Sequence, residues 1–386
     1  MKFLYQPTDR GITTLMLILP TGADIFYPPG VAYLYTLLVN RYGTLEKGRK
    51  IFEELDQRAI EIKFSVGREF LSVTLSALNS QLEKGLEYLK EFLTQPNLRK
   101  EVVEQVLKER DEIIRTKENS KDYLARKLLY QIAFPNTPLA HPIEGEPNQK
   151  ITLSQLEEYF KKGITSAGSY LLVVGKKVTP DRFNYLGEGR LEPLPKFTPV
   201  QAQKTQYTQT EQAYIQVLSP FHFEPEKWYL QRIAFNILGA GGFGSRIMEE
   251  IRVKRGLAYS AYGYVRVRKI YSIFRAYLQT KISNREEAIS LLKKVIEEFI
   301  TRGATQKELE DAKKFLIGSE PLREETPMQR LFIRFREIYF GFGEGFYQRQ
   351  LKLIEKTTLP ELNAYIKHHK EIGKLTIATI TAPGGN

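Results

Sequence analysis

The 386-residue chain has no cysteine, one tryptophan, four methionines and four histidines. Without cysteine it can form no disulfide, no thiol nucleophile and no thiolate zinc site. The histidines are His141, His222, His368 and His369, and no two stand at i, i+4. No helix of this chain can therefore present two imidazoles on one face, one turn apart. No apolar run approaches the ~20 residues that a membrane-spanning helix needs. The short run Leu15 to Leu19 follows Asp9 and Arg10 and reads as a strand rather than the core of a signal peptide. The expected location is the cytoplasm, or the periplasm if the N-terminus is processed.

What is present is an ordinary folding composition, 42% apolar, in a length that suits two or three domains. The net charge is +12 and is unevenly placed. Between Gln81 and Arg126 ten basic residues meet ten acidic ones, whereas between Arg246 and Arg275 eight basic residues meet two acidic ones.

Periodicity gives a repeated plan. In the first half, strands are expected at Gly11 to Pro20, Ala59 to Val66, Glu69 to Ala77 and Tyr170 to Val174, with a Gly67-Arg68 hairpin turn. Helices are expected at Val31 to Val39, Glu46 to Leu55, Gln81 to Leu93, Lys100 to Lys117, Lys121 to Ala133 and Thr152 to Lys162. From 191 to 211 prolines and glutamines replace periodic apolar residues, and this segment reads as a linker. Strand and helix signals then resume. Strands are expected at Gln212 to Leu218, Tyr259 to Val265, Tyr271 to Leu278 and Leu375 to Thr381. Helices fall at Lys227 to Leu238, Arg285 to Phe299, Thr305 to Leu316, Met328 to Tyr339 and Leu359 to His368. Thr152-Leu153, Leu156 and Tyr159 recur as Thr358-Leu359, Leu362 and Tyr365, each time ahead of a strand. The fold class is α+β, with two related domains, 1–190 and 212–386, each a mainly antiparallel sheet with helices on one face.

Gly239 to Val265, GAGGFGSRIMEEIRVKRGLAYSAYGYV, carries the most specific pattern. A glycine-rich turn leads into a helical segment with Arg252, which breaks at Gly256 and continues as a strand that starts with Tyr259. A dinucleotide loop would follow a strand and open a helix, whereas these glycines follow the helix expected at Lys227 to Leu238, and no Gly-Lys-Ser/Thr is present, so nucleotide binding is not expected. The order of glycines, Ser-Arg, helix, Arg, six residues and Tyr resembles the second-domain signature of the insulinase/pitrilysin-like zinc peptidases, the inverted-motif zinc family. Leu139 to Gly145 and Gly318 to Thr326 are similar to further family segments, so the resemblance covers nearly the whole chain.

The resemblance implies that Arg252 and Tyr259 hold the backbone of a bound peptide, since a guanidinium and a phenol can donate to peptide carbonyls. It also implies a substrate-handling role for Gly241, Gly242 and Phe243, because the non-catalytic subunit of the processing peptidase has a glycine-rich loop there. Active members carry His-x-x-Glu-His, two zinc ligands and a general base on one helix face. The matching segment here is Pro29-Gly30-Val31-Ala32-Tyr33-Leu34-Tyr35-Thr36-Leu37. Tyr33 and Leu37 stand at the histidine positions and Thr36 at the glutamate position. Glu112 lies about where the distal carboxylate ligand would fall, and reads as a solvated helix residue. No metal or other cofactor is expected in this chain.

The expectation is a zinc-free subunit that gives Arg252 and Tyr259 to a peptidase whose zinc sits in a separate His-x-x-Glu-His chain, acting on short or unfolded peptides. Two other readings stay open. One is a peptide-binding or scaffold protein with no catalytic contribution. The other is a single-stranded nucleic-acid binder, suggested by Arg266, Arg268 and Lys269 beside Tyr262 and Tyr264.

Overall fold

The alternation in Leu71–Leu78, LSVTLSAL, turns Leu71, Val73, Leu75 and Ala77 to one face, and all four are buried. This stretch is one of ten strands among the described residues, some alternating like it and others buried on both faces. The structure is a computed structural model and describes residues 1–383, with Phe243 described by its backbone alone. In chain order the first half contains β1 (Lys2–Gln6), β2 (Ile12–Leu19), α1 (Val31–Tyr42), α2 (Lys50–Asp56), β3 (Glu61–Val66), β4 (Leu71–Leu78), α3 (Leu82–Thr94), α4 (Lys100–Glu118), α5 (Lys121–Ala133), α6 (Leu153–Gly163) and β5 (Tyr170–Val174). The second half contains β6 (Gln203–Tyr207), β7 (Gln212–Pro220), α7 (Trp228–Phe235), α8 (Arg246–Met248), β8 (Ala258–Val267), β9 (Ser272–Lys281), α9 (Arg285–Arg302), α10 (Gln306–Arg323), α11 (Pro327–Phe340), α12 (Phe346–Lys356), α13 (Leu359–His368) and β10 (Thr376–Thr381). Among the described residues no helix is long and apolar enough to cross a membrane.

The first sheet runs β1-β5-β2-β4-β3 and the second β6-β10-β7-β9-β8. In each, the first-named edge strand is parallel to its neighbour and all other pairs are antiparallel. The two orders are one plan used twice, which makes the fold α+β with two related sheets. β6 falls inside the Pro/Gln-rich stretch. It has no apolar periodicity because it pairs through its backbone with β10 alone and its side chains are largely exposed.

The repeated sequence signature has a shared local cause. Thr152 and Thr358 both close capping boxes, with Gln155 and Glu361 returning the bond, and each box stabilises its helix by about 1 kcal/mol. Leu156 and Tyr159, and Leu362 and Tyr365, turn inward one turn later and are buried.

The chain separates into two compact units that are not contiguous in sequence. One comprises Met1–Lys117, His141–Leu194 and Glu324–Tyr339; the other Glu118–Ala140, Pro195–Arg323 and the chain from Phe340 on. Each unit has its own apolar core between its sheet and its helices. Each sheet's other face receives a helix from the opposite half of the sequence. In the first unit Leu171 and Val173 join the core, so Tyr170 points the other way. There it meets Phe335 of α11, with ring centres 4.9 Å apart. In the second unit Ile215 and Val217 join the core, so Gln216 points away and donates to Asp122 of α5 at 2.7 Å.

Candidate functional site

The positions matching the zinc motif lie on α1 in the first unit. Gly30 caps this helix at φ +84, and a Cβ there would meet the Glu144 carbonyl oxygen at 2.8 Å, so the Pro-Gly junction is required by the loop 141–149 that crosses it. Gln149 ties the same loop to the Pro29 carbonyl at 2.8 Å. Tyr33 is half-buried, while Thr36 and Leu37 are buried. The Thr36 hydroxyl donates to the Tyr33 carbonyl at 2.8 Å and so spends its proton within the helix.

The residue that α4 brings to this face is Lys117, not Glu112. The Lys117 Nζ stands 5.6 Å from the centre of the Tyr33 ring and is paired with the Glu144 carboxylate. Glu112 is exposed, five residues earlier and so about 140° around the helix. Burial pushes the Tyr33 phenol up from its ordinary range, with Lys117 pulling the other way. A phenol, a hydroxyl already bonded, a pair of methyls and a fixed ammonium do not make a zinc site. Among the described residues no group of three or more His, Asp or Glu side chains is arranged to hold a metal elsewhere. His141 is exposed in the loop, 3.5 Å from Glu146.

Arg252 and Tyr259 lie in the second unit. α8 runs on into a π-helical turn, Glu249–Val253, that carries Arg252. The chain then reverses at Gly256, whose φ is +60 and whose N–H donates to the Arg252 carbonyl at 2.9 Å. β8 follows, and its register with β9 slips between Ala258 and Ser260. Tyr259 is the extra residue of this bulge and is 50% exposed. Bulges re-aim a side chain that regular pleating would have directed elsewhere. Arg252 is exposed as well, with Nη1 4.0 Å from Met248 Sδ. Both groups therefore face solvent at either end of one tight connection. β8 is an edge strand, the feature that sequence alone did not assign.

The glycine-rich turn has mixed origins. Gly239 lies against the backbone of Gly263 in β8, where an added Cβ would meet the Gly263 nitrogen at 2.5 Å. Gly241 continues the π-helical segment Asn236–Ala240 and donates to the Asn236 carbonyl at 2.9 Å. Gly242 has φ +61 and open space around it. The Phe243 side chain lies outside the described residues. Arg246, the Arg of the Ser-Arg pair, is structural: its guanidinium grips Glu308 at 2.6 and 2.7 Å. A cavity of about 910 Å³ beside this turn carries both signs of charge, with Arg246 and Lys254 near Glu249 and Glu308, and neither Arg252 nor Tyr259 lines it. Mixed charge of this kind does not favour a polyanion.

Comparison with known proteins agrees with this layout. The family model for the insulinase family, peptidase family M16, matches residues 21–146, and the model for the peptidase M16 inactive domain matches residues 149–316. The non-peptidase homolog YmxG of Helicobacter pylori is 38% identical over 367 residues, covering 91% of this chain and 84% of its own. The uncharacterized zinc protease YmxG of Bacillus subtilis is 21% identical over 338 residues, covering 84% of this chain and 82% of its own. Among solved structures, a peptidase M16 inactive domain from Pseudomonas fluorescens superposes with TM-score 0.87 at 20% identity, over 100% of this chain and 95% of the other. A Helicobacter pylori protease does so with TM-score 0.81 at 14% identity, over 98% and 96%. With its two-sheet plan and its matches over both halves, the chain belongs to the insulinase family of peptidases, M16.

Proposed function

We propose that this chain is a non-catalytic, peptide-holding subunit of the M16 family that works beside a separate catalytic chain. The observation that carries the reading is the contrast between its two motif sites. The α1 face that would bind metal is filled by Tyr33, Thr36, Leu37 and the Lys117 ammonium, whereas Arg252 and Tyr259 stand exposed beside a sheet edge. The name of the Helicobacter pylori relative, a non-peptidase homolog, supports the first half of that contrast.

On this reading an extended peptide adds to the free edge of β8, where backbone hydrogen bonds supply affinity with little demand on sequence. Tyr259 and Arg252 donate to its carbonyls and so to the charge that develops there during hydrolysis. The zinc and the general base belong to the partner's His-x-x-Glu-His helix. The test is peptidase activity on a quenched unfolded peptide, measured for this chain alone, for a His-x-x-Glu-His chain of the same organism alone, and for the mixture. Chelator-sensitive activity that needs both chains and falls at least tenfold with Tyr259→Phe is the expected result. Full activity with both Arg252→Ala and Tyr259→Phe would leave this chain a scaffold.

A further inference from the structure

The opposite face of the second sheet holds a small polar cavity that the peptide-holding reading does not use. It has a volume of about 270 Å³ and is lined by Tyr262, Tyr264 and Arg266 of β8, Arg275 and Tyr277 of β9, Gln216 of β7, and Asp122 and Arg126 of α5. The register explains the convergence. Tyr264 pairs with Arg275, and Arg275 with Leu218, while the neighbours Phe274 and Ala276 enter the core, so these polar side chains stand together on the face that α5 covers.

The charge balance of this cavity is unusual for a protein interior. Arg275 is 6% exposed, yet its hydrogen-bond partner is a neutral amide, the Gln216 Oε1 at 2.7 Å. Its guanidinium also lies over the Tyr130 ring at 5.7 Å, and its Nε is buried with no hydrogen-bond partner. Arg266 likewise meets phenols, donating to the Tyr264 hydroxyl at 3.2 Å. The one carboxylate of the cavity, Asp122, is committed to Gln216 through one oxygen at 2.7 Å and to Arg126 through the other at 3.5 Å. Two guanidiniums thus remain uncompensated in a recess, where a buried cation without a counter-charge is costly.

We infer that this cavity is a carboxylate-binding site. A planar carboxylate suits the guanidinium fork and supplies one negative charge where Asp122 stands close enough to disfavour a dianion. The volume falls below the range of about 300–1,000 Å³ typical of sites for larger small-molecule ligands, so one anionic group fits rather than a whole cofactor. The carboxylate comes from a peptide, at its C-terminus or an acidic side chain, or from a free carboxylic acid. Only the choice of a peptide as source rests on the proposed function, because the cavity shares neither Arg252 nor Tyr259.

Four fluorescent or competing probes separate the outcomes on the whole chain. They are an N-acetylated hexapeptide with no charged side chain and a free C-terminus, its neutral C-terminal amide, the amide with one internal Glu, and the monocarboxylate N-acetylglycine as competitor. The carboxylate-bearing peptides should bind at least about tenfold more tightly than the neutral amide. That preference should disappear in Arg275→Met and in the less buried Arg266→Gln, each checked for a wild-type melting curve. Preference retained in a folded Arg266→Gln, or equal binding of all peptides with no competition by N-acetylglycine, overturns the inference while leaving peptide binding in place. If no peptide binds but N-acetylglycine does, with loss in Arg266→Gln, the site stands with a free acid as its ligand and the peptide-holding function falls.

Discussion

Restoring the metal motif by substitution on α1 alone should fall short, for a reason that lies on another helix. Tyr33→His, Thr36→Glu and Leu37→His together would supply two imidazoles and a carboxylate at the right helical spacing. The Lys117 ammonium would still face them, now 5.6 Å from the Tyr33 ring centre. With that separation as the stand-in for the metal-to-ammonium distance and an effective dielectric of about 20, a dication and a unit cation repel by about 6 kcal/mol, of which the Glu144 carboxylate paired with the ammonium, about 8 Å from the metal, offsets about 4. The remaining ~2 kcal/mol corresponds to a weakening of roughly thirtyfold in Kd. Adding Lys117→Glu removes the repulsion and offers a further oxygen ligand. Zinc affinity by chelator competition, with circular dichroism to confirm folding, should show weak binding in the triple variant and binding at least about 30-fold tighter in the quadruple one. Equal affinities in two folded variants would refute the electrostatic reasoning, as would tight binding in the triple variant.

Two further outcomes follow from individual contacts. Gly239→Ala should destabilise the chain by about 1–3 kcal/mol, because the new Cβ meets Gly263 backbone atoms at 2.5–2.7 Å that cannot swing aside, while Gly244→Ala, with open space around it, should be near neutral. Denaturant midpoints decide the sign, since helix propensity alone would make the first change stabilising. Asp24, buried beside Arg68, has its carboxyl pushed by burial from 3.8 up to about 6, with the Arg68 ion pair opposing the rise. Between about pH 4 and 6 the folded chain keeps a proton that the unfolded chain has released, so stability falls as pH rises through that window, by on the order of 3 kcal/mol. Asp24→Asn does not titrate and should gain on wild type from pH 4 to 7; a stability difference independent of pH would rule this out.

Much of the fold was legible because it rests on local patterns. Strands such as Leu71–Leu78 alternate, and the Thr152 and Thr358 caps announce helices of the same kind. The Tyr170–Val174 strand is a continuous apolar run bounded by turn signals. β1 and β6 carry little sequence signal because parallel edge strands need only backbone partners, and α12 carries a mixed one because its buried residues, Phe346, Tyr347, Gln350 and Ile354, include a polar side chain. The location of Arg252 and Tyr259 on one connection could be read from spacing, whereas the bulge that exposes Tyr259 depends on pairing with β9. Lys117 could not be matched to Tyr33 by counting, since their meeting is fixed by how α4 packs on α1. Arg275 did leave a signal, a charge within the apolar strand SIFRAYLQTK, and Gln216 left a similar one in QAYIQVLSP.

The exchange of helices between the two halves sets a schedule for the chain as it is made. The first unit needs Glu324–Tyr339, which follow Leu194 by 145 residues (339 − 194). At a synthesis rate of about 5–20 residues per second, roughly 7–30 s pass after Leu194 is made before Phe335 and Tyr339 both exist to cover Tyr170 and Phe70. During that interval the first sheet is assembled but uncovered on one face, the condition under which chaperones engage a nascent protein. A gene split at the segment between residues 191 and 211 would make that wait permanent for the first fragment, which would never receive its second covering layer.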